Sequence, residues 1–225
     1  MSERASTADE AQALWAEAVE ELGRETSASL GEEGMKRAVE AFPIASEGDG
    51  VDESWLGLFQ SWLFFDFDGE ETTVAERWLA REAPERSAVI AAIVEAANDA
   101  PLSFYRVEGV REGEGVAASD VFTDDRRFVT DADLADSLPV GSMFFGRLVE
   151  VEGHTLVDAY GVYRLPGEWA EPMRDAMLGE LGLAMPLSRA VQRAMGTALV
   201  VLYGQVADAY LRSLSEAAAP EQGEG

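Results

Sequence analysis

The feature that most constrains the fold is the run Ser54–Asp68, which is more apolar and more aromatic than any other part of the chain. Its large apolar side chains recur at spacings of three and four: Trp55, Leu58, Phe59, Trp62 and Leu63. This spacing places them on one face of a helix, with Ser54 as its N-cap. Burial of each such side chain stabilises a fold by about 2–3 kcal/mol. We therefore expect this helix to lie at the centre of the core.

The end of the same run allows a second interpretation. Leu63–Gly69 also has the pattern of a buried strand followed by Asp-x-Asp-Gly. These few residues resemble the first motif of the haloacid-dehalogenase phosphatases, and the resemblance implies a magnesium-dependent phosphohydrolase with Asp66 as nucleophile and Asp68 as acid/base. The downstream Lys of that family is missing, because the only Lys in the chain is Lys36. The two interpretations differ in whether the aspartates end a helix or lie at the tip of a parallel strand.

A longer, scattered pattern covers about half the chain, from Ser54 to Pro166. Its parts are Phe59-x-x-Trp62-Leu-x-Phe65-Asp66, Thr73-Val-Ala-Glu-Arg-Trp-Leu-Ala-Arg81 and Gly141-x-x-Phe-x-Gly-Arg147-Leu-Val. This pattern resembles the body of bacterial proteins that often carry a C-terminal SEC-C zinc motif, most of which have no assigned function. A SEC-C motif needs three Cys and this chain has none, so the zinc-dependent partner binding of that family does not carry over.

The charge balance restricts the class of partner. The chain has 17 Lys and Arg against 43 Asp and Glu, a formal net charge of −26, and only one of the basic residues is Lys. Such a surface repels phosphates, so we expect no direct nucleic-acid binding. Dense carboxylates with almost no Lys are typical of a protein that works in high salt, where self-repulsion is screened. The rival explanations of the acidity are a dedicated basic partner and mimicry of a nucleic acid. The acids are spread over the whole chain rather than gathered on one element, which disfavours mimicry.

The absence of Cys excludes disulfides, thiolate catalysis and thiolate metal sites. No apolar signal segment follows Met1, and the longest apolar tract, near Ala194 to Tyr203, is too short to span a bilayer. The sequence therefore predicts a cytoplasmic protein without membrane contact. It also predicts no metal and no cofactor, because it has no cluster of metal ligands and no phosphate-binding glycine loop.

Residues 1–45 are a predicted N-terminal helical arm. One helix runs from about Asp9 to Leu22 and is stopped by Gly23, and a second runs from about Glu32 to Phe42. The acidic stretch Ser46–Glu53 is a predicted linker.

Residues 54–166 form the predicted central part: the aromatic helix, two short helices and a small β-barrel. Thr73-x-x-Glu76 is a capping box that starts one short helix, and Pro84 lies in the first turn of the next. The core face of that next helix is predicted at these positions: Val89, Ile90, Ile93, Val94 and Ala97.

From Leu102 to Leu165 the apolar pattern alternates by twos. It predicts five strands: Phe104–Val110, Val116–Phe122, Arg127–Thr130, Met143–Val151 and Thr155–Tyr163. Asp131–Leu138 is a predicted helical turn between the third and fourth strands. Five short strands fit most economically into a barrel of the SH3 or OB kind, since closure removes exposed edges.

Residues 167–216 are a predicted C-terminal helical arm. One helix runs from Trp169 to about Leu183, Met185-Pro186 breaks it, and one long helix runs from Leu187 to Leu214. The broad apolar stripe of the long helix needs a partner, so homodimerisation through it stays open. Residues 217–225 are a predicted disordered acidic tail. The predicted fold class is α+β: a helical N-terminal part, a small five-stranded SH3/OB-like β-barrel and long C-terminal helices.

Barrels of this size often bind nucleic acid through aromatic and basic side chains. The candidate binding residues of this kind are Tyr105, Arg106, Arg126, Arg127 and Arg147. Aspartates crowd the same region, so we interpret these arginines as local ion-pair partners. His154, the sole histidine, lies in a predicted hairpin turn and is interpreted as exposed.

The sequence favours a non-catalytic protein-interaction or adaptor module in a salt-rich cytoplasm, because no catalytic nucleophile–base pair stands out. Its partner is not identifiable from the sequence. The enzyme alternative is a magnesium-dependent phosphohydrolase that uses Asp66 and Asp68, and a further alternative is an acidic mimic of a nucleic acid.

Salt adaptation predicts that the chain unfolds when it is transferred from about 2 M to about 0.05 M salt, because repulsion among the carboxylates is then no longer screened. Far-UV circular dichroism and tryptophan fluorescence measure this transition. Equal stability at both salt concentrations would contradict the adaptation.

Overall fold

The computed structural model describes residues 7–44, 50–69, 71–81 and 87–218. Within these ranges helices pack around a six-stranded sheet, five strands of which close into a barrel, so the predicted α+β class is confirmed. Three predictions fall wholly or partly outside the described residues. They are residues 46–49 of the linker Ser46–Glu53, the role of Pro84, and the acidic tail beyond Ala218.

The helices are α1 Ala8–Ser29, α2 Gly31–Ala41, α3 Leu56–Phe65, α4 Val74–Ala80, α5 Ala88–Asp99, α6 Ala132–Ser137, α7 Ala170–Leu181, α8 Arg189–Ala194 and α9 Gly196–Ala218. The strands are β1 Leu102–Arg111, β2 Gly115–Asp120, β3 Arg126–Thr130, β4 Ser142–Val151, β5 His154–Tyr160 and β6 Leu165–Pro166. Each of the five predicted strands is present, and so is the helical turn between the third and fourth.

The first helix is longer than predicted. A capping box of Thr7 and Glu10 starts α1, and the helix passes through Gly23 to Ser29. A glycine inside a helix costs only about 1 kcal/mol. Continued packing of the buried residues Leu22 and Thr26 outweighs that cost. The predicted stop at Gly23 is therefore wrong.

The aromatic run forms α3, as predicted, and is buried on nearly every side rather than on one face. Its buried residues are Leu58, Phe59, Ser61, Trp62, Leu63, Phe64 and Phe65. The predicted N-cap at Ser54 is wrong, because the Ser54 N–H donates to the Asp52 carboxylate at 2.9 Å and a short 3₁₀ turn precedes the helix. Trp55 lies in that turn and packs against Tyr163 and Tyr203.

The first of the next two helices starts where predicted, whereas the second starts at Ala88, later than the prediction of Pro84 in its first turn. The capping box of Thr73 and Glu76 begins α4, as predicted, and Ser87 caps α5. The predicted core face of α5 is buried at four positions: Ile90, Ile93, Val94 and Ala97. Val89, in the first turn of the helix, is 43% exposed instead.

The barrel has the strand order β1-β2-β3-β5-β4 and closes through pairing of β4 with β1. Every pairing is antiparallel except that of β3 with β5, where Val129 lies opposite Thr155. The helix α6 connects β3 to β4. This order, with its parallel contact, is a Greek-key barrel of the OB rather than the SH3 kind.

The strands of the barrel separate two apolar cores because successive side chains point to opposite faces. Phe144 points into the barrel and the adjacent Phe145 points out toward the helices. The barrel core consists of Tyr105, Val107, Val116, Ala118, Val129, Leu134, Ala135, Leu138, Phe144 and Leu148. The larger outer core takes residues from the N-terminal helices, α3, β4 and α9, so the three predicted segments of the chain share it.

The prediction of a single helix from Leu187 to Leu214 is wrong, because this segment is divided into α8 and α9 at Met195. The Met195 N–H donates to the Gln192 carbonyl at 3.1 Å, which ends α8. At Gly196 the backbone passes so close to Asp66 that an added Cβ would overlap the carboxylate.

The apolar stripe of α9 is covered largely within the same chain. Leu199, Val200 and Tyr203 are buried, and the Tyr203 ring stacks on Phe145 with centroids 4.8 Å apart. The Tyr163 N–H donates to the Tyr203 hydroxyl at 2.9 Å. In the described part of the chain, no helix combines the length and the apolar character needed to cross a bilayer.

The close approach at Gly196 predicts that Gly196→Ala destabilises the fold by about 1–3 kcal/mol through overpacking. Gly204→Ala is the matched control, because its Cβ would lie 3.5 Å from Ile44, an ordinary contact. There the gain in helix propensity should leave stability unchanged or raise it by up to about 1 kcal/mol. Urea unfolding followed by circular dichroism measures both variants. Equal effects of the two substitutions would contradict the close approach.

Candidate functional site: the barrel mouth and the Arg147 cluster

One end of the barrel opens into a cavity. The helix α6 covers the end where β3 stops and β4 starts, with Leu134, Ala135 and Leu138 packed into the barrel core. At the opposite end lies a cavity of about 210 Å³, which we call the barrel mouth. The residues that define it here are Tyr105, Asp120, Arg127, Leu148, Arg189 and Gln192.

Asp120 shapes one side of the barrel mouth. It ends β2, and one carboxylate oxygen accepts the backbone N–H groups of Phe122 at 2.8 Å and Thr123 at 3.0 Å. The other oxygen accepts the Gln192 amide at 3.0 Å. Burial raises the pKa of Asp120, and these hydrogen bonds oppose that rise. Both oxygens therefore already have partners within the fold.

Hydrogen bonds hold α8 against the barrel mouth. Gln192 is buried, and its amide also donates to the Ser103 hydroxyl at 2.6 Å. The Leu187 N–H donates to the Phe122 carbonyl at 3.0 Å. Arg193 donates to Asn98 at 3.0 Å on the opposite side of α8. The barrel mouth is thus a preformed site.

Tyr105 supplies an unused donor. Its side chain is only 5% exposed and stacks on Phe144, yet it lines the cavity. Among the described residues, none hydrogen-bonds to its hydroxyl. Burial raises the pKa of Tyr105, so the hydroxyl stays protonated. The hydroxyl lines the cavity, so it is a donor that an entering hydrogen-bond acceptor would meet.

Two guanidiniums line the same cavity. Arg127 is in an ion pair with Glu150, which leaves other N–H groups of its five available. Arg189 is exposed and makes no ion pair within the described ranges. The barrel mouth therefore presents the Tyr105 hydroxyl and the remaining arginine N–H groups as unused donors, and the exposed carboxylate of Asp125 lines the same cavity.

The structure brings together two of the five candidate binding residues, Tyr105 and Arg127, at the barrel mouth. Arg106 pairs with Glu171, and Arg126 pairs with Glu108 at 3.4 Å. The ion pairs predicted for the arginines are confirmed.

His154 is the first residue of β5 and is partly buried, so the prediction of an exposed turn residue is wrong. Its position at the end of a tight hairpin brings it into the β4–β5 pairing, opposite Val151.

Arg147 lies in the core, far from the surface expected of a binding residue. Its side chain is 1% exposed and pairs with Asp66, donates to the Ala100 carbonyl, and donates to the Ser61 hydroxyl at 3.0 Å. Asp158 lies 3.8 Å from its Nε. We call Arg147, Asp66, Asp158 and Ser61 the Arg147 cluster.

The Arg147 cluster separates the two aspartates of the enzyme alternative. Leu63–Phe65 form the last turn of α3, so the strand interpretation of Leu63–Gly69 is wrong. Asp66 follows the helix with its carboxylate buried, whereas Asp68 is exposed. Their carboxylates do not share a cleft at the edge of a sheet. The described ranges also hold no group of three or more acidic or histidine side chains placed to bind a metal ion.

Two buried carboxylates share one guanidinium in the Arg147 cluster. Burial raises the pKa of both Asp66 and Asp158, and the attraction of Arg147 opposes the rise. Among the described residues, one oxygen of Asp158 has no hydrogen-bond partner. The folded state therefore binds protons at these carboxylates more tightly than the unfolded chain does. Their contribution to the free energy of unfolding is fully present below the ordinary pKa of 3.8 and is lost as pH rises through the raised pKa.

We therefore expect Asp158→Asn to gain stability relative to the wild type as pH rises through that window, by up to about 1.4 kcal/mol per pH unit. The asparagine stays neutral and takes up no such charge. Urea unfolding at a series of pH values from acid to neutral measures the difference, and Asp68→Asn is the exposed control. A constant difference across the series would show that Asp158 does not titrate in the fold.

Sequence reasoning missed Asp120, Arg189 and Gln192. Asp120 was one of many aspartates in the barrel, and the other two lay in a predicted uninterrupted helix. The break at Met185-Pro186 was the one signal that this segment could turn back over the barrel.

Comparison with known proteins places the chain in a family. Residues 20–162 match the model of a family described as "Family of unknown function (DUF7986)". Neither the curated proteins nor the solved structures yield a match. The matched part includes α3, the five barrel strands and Arg147, and it ends before α8. Because the match covers more than half of the chain, the chain belongs to the DUF7986 family.

Proposed function

We propose that this chain is a non-catalytic protein-interaction module, adapted to a salt-rich cytoplasm, that engages its partner at the barrel mouth. The observation that carries the proposal is the Tyr105 hydroxyl, which belongs to a largely buried side chain, lines an accessible cavity and hydrogen-bonds to none of the described residues. A partner side chain or chain end that enters the cavity satisfies this donor.

A preformed mouth favours binding. The hydrogen bonds of Gln192 to Asp120 and Ser103 fix α8 before a partner arrives. Leu148 and Leu187 supply apolar contact at the wall. A site that is already ordered loses less conformational entropy on association, which raises affinity for a given contact area.

A protein is a better partner than a nucleic acid. The chain carries a formal charge of −26, which opposes the approach of phosphates. Three arginines of the outer barrel face, Arg106, Arg111 and Arg126, are each already paired with a glutamate. They therefore provide no uncompensated positive face.

The phosphohydrolase alternative has no geometric support. Asp66 is held by Arg147 inside the core, where a substrate phosphate has no access. Asp68 is exposed two residues further along the chain. A nucleophile and an acid/base must reach the same substrate atoms, and these two carboxylates do not meet that requirement.

The test is affinity capture from a lysate of the native organism at its own ionic strength. The bait is the full chain, compared with a Tyr105→Phe/Arg189→Ala double variant. The matched control is Arg212→Ala, an exposed arginine of α9 outside the cavity. We expect one protein to be captured by the wild type and the control and to be reduced about tenfold or more with the double variant, since two hydrogen-bonding groups are lost.

Equal capture by the mouth variant would contradict the proposed function. Salt-sensitive capture of a nucleic-acid-binding protein that is independent of the barrel mouth would instead favour mimicry. Circular dichroism of each variant shows that the fold is retained.

A further inference from the structure

We propose that the barrel mouth is a carboxylate-binding site, in which the Tyr105 hydroxyl and the guanidiniums of Arg127 and Arg189 bind the anion. This inference rests on the proposed function in using the same cavity. It adds the chemical class of the group that enters.

The balance of donors and acceptors points to an anion. Both oxygens of Asp120 already accept hydrogen bonds from Phe122, Thr123 and Gln192. On the donor side, the Tyr105 hydroxyl makes no hydrogen bond within the described ranges and Arg189 makes no ion pair there. The occupant that completes this set is therefore an acceptor with at least two oxygens. Charge-assisted hydrogen bonds from arginine favour a carboxylate over a neutral acceptor.

The charges near the hydroxyl agree with this balance. Two guanidiniums that line the cavity, those of Arg127 and Arg189, act electrostatically on the Tyr105 hydroxyl, and so does the carboxylate of Asp120. Asp125 also lines the cavity; like Arg189 it is exposed, so water and salt screen both of these charges. Because the oxygens of Asp120 already accept hydrogen bonds within the fold, an entering carboxylate would meet the remaining N–H groups of the two arginines.

The size of the cavity limits the occupant. A volume of about 210 Å³ corresponds to about seven water molecules and is below the 300–1,000 Å³ typical of sites for drug-sized ligands. It accommodates one small organic acid or the last residue of a peptide chain. Leu148, Leu187 and Pro186 form an apolar wall for the carbon atoms of either occupant.

A small organic acid and a peptide C-terminus share the carboxylate, and a titration with two arms distinguishes them. The first arm uses acetate, propionate and butyrate. The second uses a short peptide with a free C-terminal carboxylate and the same peptide with an amidated C-terminus. Calorimetric titration of the full chain is run in about 1 M sodium chloride, where long-range repulsion from the acidic surface is screened.

We expect saturable binding in at least one arm. Tyr105→Phe and Arg189→Gln should each weaken it about tenfold, because each removes a hydrogen bond to a charged group. Arg212→Gln should bind like the wild type. Arg189 is exposed, so its substitution tests the site even if Tyr105→Phe fails to fold.

Each outcome separates this inference from the proposed function. Binding of the free peptide but not of the amidated peptide supports both. Binding of the small acids alone supports the carboxylate site and counts against a protein partner at the barrel mouth. Absence of binding in both arms, or binding that is unchanged in Arg189→Gln, overturns the carboxylate site, while the capture experiment still decides the proposed function independently.

Discussion

The buried ion pair between Arg147 and Asp66 connects the elements on which the rest of the fold depends. Arg147 comes from β4, Asp66 from the end of α3, and the Ala100 carbonyl from the segment between α5 and β1. A buried guanidinium that loses its partner costs several kcal/mol, so these elements are stable only when docked together. Gly196 then brings α9 against the same carboxylate. Four elements therefore converge on one charge pair.

The barrel and the helices have separate cores and a shared wall. Alternation along β1 and β4 sends Tyr105 and Phe144 inward and Phe104 and Phe145 outward. The outward rings pack against Tyr203 of α9, with Phe104 at 6.1 Å and Phe145 at 4.8 Å. The wall that positions the Tyr105 hydroxyl in the barrel mouth is thus supported from behind by the helical layer. Such support keeps a binding group in place without a ligand.

Patterns that are local in sequence predicted the fold well. The alternation of apolar residues in the strands and the aromatic spacing of α3 each report on burial within a few residues. A small five-stranded barrel, left open between the SH3 and OB kinds, and the central helix followed from them. The break at Met195 and the passage of α1 through Gly23 depend on tertiary packing, which overrides local propensity. The barrel mouth could not be predicted, because Tyr105 and Arg189 meet only after the segment from Met185 to Gln192 folds back over the barrel.

The short helix α8 has contacts on both of its sides. Gln192 holds it to Asp120 at the barrel mouth, and Arg193, the next residue, donates to Asp99 of α5 at 3.1 Å. Its end leads through Met195 to Gly196, which rests on Asp66. An occupant large enough to displace α8 from the barrel would also move Gly196 away from that carboxylate. The wall of the cavity and the buried charge pair are thus separated by only the few residues from Gln192 to Gly196.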